Sequence, residues 1–310
     1  MPIVAPVAAQ AAPAWRVIDL GAGEDSSAVA VNDRGHVAIG RGGTSFLWRS
    51  GRLTDIGSLG GGYTQAAGLN NRDELVGWSF LADGDSHAFV WRNGTMTDLG
   101  VLPGGVHSAA LGINDRGDVV GYSDTADGQH AVLWRNGRAI DLGGDAIGHL
   151  GHAYDINNAG VIAGTWGDGN YDSLAVRWSA TGRRTLLSTE RSVAYSVNTQ
   201  GHILGAFRTV DSYDDGFLWR NGAFTKVTPP PGLRMINLTA VNDRDQAVGA
   251  AYVGGDSGFE ATIWQNGTAS TLPKLGKHAQ AQDINERGQV AGYTTTDADG
   301  WTTRAVLWAR

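Results

Sequence analysis

Short apolar stretches alternate with polar turns along almost the whole chain. The segment "SSAVAVN" ends at Asn32 and is followed by the turn "NDRG" and by the stretches "HVAIG", "SFLW" and "RLTDIG". Apolar and polar residues alternate with a period of two in these stretches, which is typical of short β-strands joined by Asn-, Asp- and Gly-containing turns. The 3.6-residue periodicity of a helix is missing. The pattern predicts an all-β fold with four antiparallel strands per unit.

Two residue types recur at a nearly constant spacing and divide the chain into seven units. The first is an Asn that ends an apolar stretch: Asn32, Asn70, Asn114, Asn157, Asn198, Asn242 and Asn285. The second is a Trp that follows a short apolar stretch: Trp48, Trp91, Trp134, Trp178, Trp219, Trp264 and Trp308. The spacing between neighbours runs from 38 to 44 residues for Asn and from 41 to 45 for Trp. Seven such units predict a seven-bladed β-propeller.

Each end of the chain carries part of a unit. The segment "WRVIDLG" (Trp15 to Gly21) matches a fourth strand without its first three, and only Ala309 and Arg310 follow Trp308. We therefore predict that the N-terminal strand completes the last blade, which removes a free sheet edge. The prediction gives a single propeller domain over residues 15–310, preceded by a flexible tail over residues 1–14.

Composition excludes several classes of protein. The chain has 310 residues, no Cys and a formal net charge of −7. Disulfides and thiolate metal sites are excluded, and a nucleic-acid partner is not expected. No apolar stretch approaches the ~20 residues of a membrane-spanning helix. The start, "MPIVAPVAAQAAPAW", lacks the basic residues and the uninterrupted apolar stretch of a secretory signal. We therefore expect a monomeric, cytoplasmic protein that does not associate with membranes.

The third unit resembles a known family. The turn "INDRGDVVG" (113–121) and the segment "LWRNG" (133–137) are similar to the core of the HAF repeat, which is named after the tripeptide found here at His87, Ala88 and Phe89. The similarity extends over nearly the whole chain after its first strand. The family is labelled as an extracellular repeat, which differs from the location that the N-terminus predicts. The label implies no chemistry.

The repeated Trp and Asp residues are predicted to be structural. Each Trp lies next to apolar neighbours on a third strand, where a large ring can fill the space between two blades. Asp residues recur in the fourth strands and are expected to accept hydrogen bonds from a nearby turn: Asp19, Asp55, Asp98 and Asp141. Neither set points to a ligand.

The two faces of the predicted disc differ in their loops. One face carries near-identical turns such as "NDRG", "NNAG" and "RNG", and we call it the repeat face. The other carries loops that differ in every blade, such as "SFLADGDS", "WGDGNYDS" and "TPPPGLRMIN", and we call it the variable face. Because binding residues concentrate on the loops of rigid scaffolds, the variable face and the adjoining channel mouth are the predicted site.

The predicted site residues lie on the innermost strands and in the variable loops. Four are candidates for catalysis: His107, His152, Tyr154 and Tyr195. Eight are candidates for substrate binding: Gln65, Trp78, Trp166, Asn237, His278, Gln280, Gln282 and Trp301. The alternative is that the polar groups bind only water in an idle channel, and that the aromatic rings only pack neighbouring loops.

No cofactor or metal is predicted. The chain contains no G-x-S-x-G, H-E-x-x-H or phosphate-loop motif. The segment "DGNYDS" (168–173) resembles the start of a calcium loop, but it lacks the central Gly, and Ser179 stands where the final Glu would be. Metal binding is therefore not expected there.

Two functions remain open. The first is a cofactor-independent cyclase or isomerase that folds an apolar small molecule into a reactive shape and polarises it with Tyr or His donors. A [4+2]-type ring closure of a polyketide- or terpenoid-like substrate in a bacterial pathway would fit. The second is a non-catalytic propeller that binds carbohydrate or protein. We favour the first, because bulky aromatic residues and a few His and Tyr residues cluster around one predicted opening.

Overall fold

The computed structural model describes residues 14–143, 150–167, 173–208, 214–253, 258–297 and 299–310. Within these ranges the chain forms 28 strands, which make seven four-stranded antiparallel sheets arranged as the blades of a ring. The prediction of a seven-bladed β-propeller is confirmed. The same residues include no helix of the length and apolarity needed to cross a membrane.

The strands of each blade run from the channel outwards. Blade 1 contains β2 (Ser26–Val31), β3 (Val37–Arg41), β4 (Thr44–Arg49) and β5 (Arg52–Asp55). Blade 2 contains β6 (Gly60–Leu69), β7 (Leu75–Leu81), β8 (Ser86–Arg92) and β9 (Thr95–Gly100). Blade 3 contains β10 (Ser108–Ile113), β11 (Val119–Thr125), β12 (Gly128–Arg135) and β13 (Arg138–Asp141). Blade 4 contains β14 (Leu150–Ile156), β15 (Ile162–Gly167), β16 (Leu174–Trp178) and β17 (Arg184–Leu186).

The remaining three blades complete the ring. Blade 5 contains β18 (Ser192–Val197), β19 (Ile203–Arg208), β20 (Asp214–Arg220) and β21 (Ala223–Val227). Blade 6 contains β22 (Arg234–Val241), β23 (Ala247–Tyr252), β24 (Phe259–Gln265) and β25 (Thr268–Thr271). Blade 7 contains β26 (Ala279–Ile284), β27 (Val290–Thr295), β28 (Thr303–Ala309) and, as its outermost strand, β1 (Arg16–Asp19).

The N-terminal strand closes the ring as predicted. β1 pairs with β28 in antiparallel register, with Arg16 opposite Ala309 and Ile18 opposite Leu307. The guanidinium of Arg310 lies 4.4 Å from the centre of the Trp15 ring, which adds a cation–π contact between the two ends of the chain.

Each pair of neighbouring blades encloses a buried hydrophobic cluster that contains one repeated Trp. Trp308, for example, packs with Ile263 of blade 6, and Trp178 packs with Leu133 of blade 3. Both Trp side chains are fully buried. The structural role predicted for the repeated Trp is therefore confirmed.

The repeated Asp residues brace the ends of the fourth strands. Their Oδ1 atoms accept a hydrogen bond from the backbone N–H two residues later at 2.7–2.8 Å, at Asp19, Asp55, Asp98 and Asp141. The His of the HAF tripeptide has a similar role, since His87 Nδ1 lies 2.9 Å from Asp98 Oδ2. This His therefore supports the blade and does not face the channel cavity described below.

The repeated Asn residues link all seven blades into a closed ring of hydrogen bonds. Each side-chain Nδ2 donates to the backbone oxygen of the corresponding Asn in the next blade at 2.8–3.2 Å, ending with Asn285 on Asn32. Each Asn Oδ1 also accepts backbone N–H groups of its own turn, as Asn32 does from Arg34 and His36. The buried amide is fully used, so the ring is structural.

A β-bulge in every innermost strand determines which side chains reach the channel. In blade 4 the register shifts between Ala153 and Asp155. A bulge places two successive side chains on one side of the strand, and both Tyr154 and Asp155 line the channel. The neighbouring strand β15 approaches β14 closely at this point. A Cβ at Gly164 would overlap the carbonyl oxygen of His152, so this position requires a Gly.

Candidate functional site in the central channel

A cavity of about 290 Å³ lies on the axis of the propeller. Innermost strands of all seven blades line it. It begins at the bulge residues, such as Tyr154 and Gln282, and extends to turn residues of the repeat face, such as Asp33 and Glu286. The sequence predicts a site at the variable face. The cavity instead occupies the part of the channel that lies towards the repeat face, because the turn residues form its rim.

The cavity has a strongly acidic wall. Its described lining residues include five carboxylates and no Lys, Arg or His: Asp33, Asp115, Asp155, Asp283 and Glu286. The basic side chains of the nearby turns bind other carboxylates, as Arg116 does with Asp118 at 3.0 Å. The cavity therefore favours a neutral polar or positively charged molecule over an anion.

Two of these carboxylates, Asp155 and Asp283, lie deep in the channel wall. Asp155 Oδ2 accepts hydrogen bonds from Ser196 Oγ at 2.9 Å and from the Val197 N–H at 2.8 Å. Asp283 Oδ2 accepts the Val31 N–H at 2.8 Å and so joins blade 7 to blade 1. The other blades have only small residues at this position, two before the repeated Asn: Ala30, Gly68, Gly112, Ser196 and Ala240.

The pKa values of both carboxyls are raised. Burial raises the pKa of Asp155, and the hydrogen bonds from Val197 and Ser196 only partly oppose it. Burial also raises the pKa of Asp283 from 3.8 to about 6, and the negative charges of Asp155 and Asp33 contribute to the rise. A carboxyl with a pKa near 6 can both hold and release a proton close to neutral pH.

We expect Asp283 to make stability depend on pH. Because its pKa is 3.8 when unfolded and about 6 when folded, the folded state binds the proton more tightly, and this stabilisation is lost as pH rises from about 4 to about 6. Asp283→Asn removes this pH-dependent contribution to the free energy of unfolding. The stability of the wild type relative to the variant should fall by up to about 3 kcal/mol between pH 4 and pH 7 in urea unfolding. A constant difference across this range would contradict the raised pKa.

A chain of hydrogen bonds leads from the variable face to the cavity. Gln129 Nε2 donates to Asp124 Oδ1 at 3.1 Å, which turns Gln129 Oε1 towards His152 Nε2 at 3.0 Å. His152 must then carry its proton on Nε2, so its Nδ1 accepts the Tyr154 hydroxyl at 3.3 Å. We call Asp124, Gln129, His152 and Tyr154 the relay. Of the four, Tyr154 lines the cavity.

Burial favours the uncharged forms of two relay residues, His152 and Tyr154. It lowers the pKa of His152, whose ring also lies against Tyr122 with 4.7 Å between the ring centres. It raises the pKa of Tyr154, although a hydrogen bond with Thr165 and the charge of Arg208 partly oppose the rise. A neutral imidazole therefore accepts the hydrogen bond of a protonated phenol. This arrangement can donate a proton into the cavity and take it back.

The structure groups some predicted catalytic residues and separates one. Tyr195 lies next to the relay, with 6.2 Å between the centres of its ring and the Tyr154 ring, and it also lines the cavity. His107 lies elsewhere, between blades 2 and 3, where its Nδ1 accepts the Ser86 N–H at 3.2 Å. In the same way His278 Nδ1 accepts the Phe259 N–H at 3.2 Å between blades 6 and 7. These contacts join neighbouring blades.

Among the predicted substrate-binding residues, Gln282 lines the cavity. The others lie nearer the variable face. Gln280 Oε1 accepts the Tyr293 hydroxyl at 3.0 Å, and Asn237 lies at an additional bulge of β22. Gln65 Oε1 lies 3.5 Å from the Tyr63 hydroxyl.

The three predicted Trp residues have different surroundings. Trp78 is stacked on Tyr63, with 5.1 Å between the ring centres. Trp166 lies under the guanidinium of Arg184 at 4.1 Å. Trp301 is 83% exposed, and Asp297 holds its loop by accepting the N–H groups of Gly300, Trp301 and Thr302. Only Trp301 is presented openly to solvent.

Four residues of the site were not among the predicted ones: Asp124, Gln129, Asp155 and Asp283. The sequence does distinguish Asp155 and Asp283, since they are acidic at a position where the other five blades have a small residue. Nothing in the sequence distinguishes Asp124 and Gln129, because Gln129 meets His152 across the boundary between blades 3 and 4. The described ranges contain no group of three His, Asp or Glu residues placed to hold a metal. Residues 168–172 of the calcium-like segment lie outside those ranges.

Comparisons with known proteins bear on the fold. No protein-family model matches the chain, and no curated protein matches it. The HAF-repeat resemblance therefore stays a prediction. Solved structures do match, including an acylaminoacyl peptidase from Pyrococcus horikoshii, with a TM-score of 0.57 and 10% identity over 92% of this chain and 50% of that chain. A prolyl endopeptidase structure gives a TM-score of 0.59 and 12% identity over 93% and 47%.

A third match has the length of this chain. It is YCF48 bound to a D1 peptide, with a TM-score of 0.54 and 12% identity over 97% of both chains. By contrast, the chain spans about half the length of the two peptidases. At these identities the similarity concerns the fold alone: the chain is a seven-bladed β-propeller.

Proposed function

We propose that the protein binds a small organic molecule in the central channel and rearranges it without a cofactor, as an isomerase or cyclase. The observation that carries this proposal is the position of Tyr154, whose hydroxyl bonds His152 in the relay and whose side chain lines the cavity. A proton-transferring pair thus reaches the channel cavity. The two deep carboxyl groups, those of Asp155 and Asp283, line the same cavity.

The relay supplies acid and base at one point. Tyr154 passes its hydroxyl proton to Nδ1 of neutral His152 while its oxygen removes a proton from the substrate. The two protons then move back, from His152 Nδ1 to Tyr154 and from Tyr154 to another atom of the substrate, so that none is gained or lost. Gln129 keeps His152 in the required tautomer, and Asp124 keeps Gln129 in the required orientation. Such a site accelerates enolisation, double-bond migration or ring closure, in which atoms are rearranged and none is lost.

The cavity wall restricts the substrate. With five carboxylates and no basic group among its described lining residues, it repels anions. A substrate with neutral polar groups or a positive charge fits this wall better than the purely apolar one that the sequence predicts. A cavity of about 290 Å³ is at the lower end of the range for small-molecule sites.

Binding is tested by a thermal-shift screen of neutral and cationic small molecules, followed by titration calorimetry of each hit. Tyr154→Phe removes one hydroxyl from the cavity, so the affinity of a channel ligand should fall about 5- to 20-fold. The control is Tyr252→Phe in blade 6, outside the cavity, which should leave the affinity unchanged. Hits that bind all three proteins equally well would place the ligand elsewhere.

The second candidate function is non-catalytic binding of carbohydrate or protein at the variable face. The observation that favours it is Trp301, which is 83% exposed on a loop that Asp297 holds in place. An exposed, preorganised indole can stack on a sugar ring or on a partner's apolar side chain. Trp301→Ala would abolish binding in this case and leave the channel ligand unaffected.

A further inference from the structure

A second cavity lies outside the channel, between blades 2 and 3. Its volume is about 480 Å³. We call it the 2/3 groove and define it by its lining residues: Arg72, Glu74, Val90, Arg92, Thr97, Asp98, Leu99, Arg116, Gly117, Val119, Trp134, Asn136 and Gly137. In contrast to the channel, its lining includes three arginines. The guanidinium groups of Arg72 and Arg92 meet at Gly117, whereas that of Arg116 extends to Gly160 of blade 4. It shares no lining residue with the channel cavity.

The three guanidinium groups are only partly compensated by acidic partners. Arg72 and Arg92 share one carboxylate, that of Glu74, at 2.7 Å and 2.9 Å. Arg116 shares the Asp118 carboxylate with Arg135, at 3.0 Å and 2.8 Å. Two carboxylates thus serve four guanidinium groups.

The remaining acid of the groove, Asp98, is engaged elsewhere. It bonds His87 and the backbone N–H of Gly100. The negative charge of Asp98 reduces the positive potential of the groove, although no described contact pairs its carboxylate with one of the arginines.

Gly117 brings two of the arginines together. A Cβ at this residue would lie 2.8 Å from Arg72 Nη2 and 2.9 Å from Arg92 Nη2. The backbone φ of +83° also favours Gly here. Both guanidinium groups therefore lie against the same backbone, and their side chains are about half exposed, at 47% and 46%. Their outward N–H groups are placed to bind one oxyanion.

The indole of Trp134 adds a donor without an acceptor. Trp134 is 4% exposed, and its Nε1 has no hydrogen-bond partner. The corresponding Trp178 of the next blade donates to the Leu142 carbonyl at 3.2 Å. Trp48 and Trp264 also lack a partner, but neither of them lines the groove.

Blade 2 differs from blade 3 at the residue that corresponds to Leu142. Leu99 corresponds to Leu142, but β9 continues to Gly100 with a register shift against β8 between Ala88 and Phe89. In blade 3 the strand β13 ends at Asp141, one residue before Leu142. Leu99 therefore lies at an irregular pairing, whereas Leu142 follows a regular one. The buried N–H of Trp134 remains unpaired in the groove.

We propose that the 2/3 groove binds the oxyanion of a small molecule, either a carboxylate or a phosphate. Arg72 and Arg92 supply charged donors for its oxygen atoms, and Trp134 supplies a neutral donor for an acceptor placed deeper in the groove. Since the described channel lining has carboxylates without a basic side chain and the groove offers guanidinium donors, the two sites take different ligands. This proposal therefore does not depend on the proposed function of the channel.

The test uses pyrophosphate and citrate as probes of the two oxyanion classes. We expect saturable binding of at least one of them in titration calorimetry at low ionic strength. Arg92→Gln should weaken binding by about 10-fold or more. The matched control is Arg220→Gln, because Arg220 follows the repeated Trp of blade 5 as Arg92 follows that of blade 2 and is paired with Asp245 outside the groove. It should change the affinity less than 2-fold.

The Trp134 indole gives an independent readout. Its side-chain N–H signal in a ¹⁵N-correlated NMR spectrum, assigned with Trp134→Phe, should shift on addition of the bound probe, while the signal of Trp178 stays in place. Preference for pyrophosphate indicates a phosphate ligand, and preference for citrate a carboxylate. The absence of saturable binding by both probes, or equal weakening by Arg92→Gln and Arg220→Gln, would overturn the proposal.

Discussion

A chain that starts at Gly21, and therefore lacks β1, is expected to lose about 4 kcal/mol or more of unfolding free energy and about 10 °C in Tm. β1 occupies the edge of blade 7, and its removal leaves the outer edge of β28 unpaired, while β27 still pairs with the inner edge. It also removes Leu20, which is 4% exposed, and the contacts of Trp15 and Val17 with the cluster between blades 6 and 7. The exposed β28 edge should cause self-association at high concentration.

The control for this truncation is a chain that starts at Trp15. It keeps β1 and lacks only the tail that the sequence predicts to be flexible. Its Tm in a calorimetric scan and its mass in light scattering should match those of the full chain. If the chain starting at Gly21 were equally stable and monomeric, ring closure by β1 would not matter for stability.

Replacement of Tyr154 by Phe is expected to reduce turnover about 10²- to 10³-fold with little change in stability. Tyr154 is the relay residue that lines the cavity, and Phe fills the same space without donating. His152→Gln should have an effect of similar size. Gln129→Leu should have a smaller effect of about 10-fold. It removes only the acceptor of the His152 Nε2 proton, so that the imidazole is no longer held in the required tautomer.

A pH profile distinguishes the relay from a purely structural contact. Since burial lowers the pKa of His152, its neutral form persists below the pH at which an ordinary histidine is protonated, and the activity should persist there as well. The control is His202→Gln, because His202 bonds Asp245 on the repeat face outside the cavity. A Tyr154→Phe variant with the kcat of the wild type would remove Tyr154 from the mechanism.

The architecture could be predicted because the same requirement acts seven times. Each repeated Asn must donate to the next Asn, and each repeated Trp must fill a space between blades. A position under such a constraint keeps its residue type in every unit, so the period is visible in the chain itself. The pairing of β1 with β28 followed from the incomplete units at the two ends.

The chemistry of the channel was less accessible, because it depends on differences between units. Tyr154 and Tyr195 were found at a variable position of the innermost strand, but the relay also needs Gln129, which comes from the neighbouring blade. The extent of the cavity could not be predicted either: the bulge places both Tyr154 and Asp155 on the channel wall, and the cavity reaches the turns of the repeat face. The pattern of alternation contains no sign of a bulge, because one extra residue does not change it visibly.

The most direct test of the account is a search for a conversion that leaves the mass of the substrate unchanged. The wild type, Tyr154→Phe and Tyr252→Phe are each incubated, without added cofactor, with fractionated small-molecule extracts of the cells that produce the protein. Liquid chromatography with mass spectrometry then compares the compounds. The account predicts that one compound is replaced by an isomer of different retention time with the wild type and Tyr252→Phe, but not with Tyr154→Phe. An isomer that forms equally fast with Tyr154→Phe, or no conversion by any of the three proteins, would contradict it.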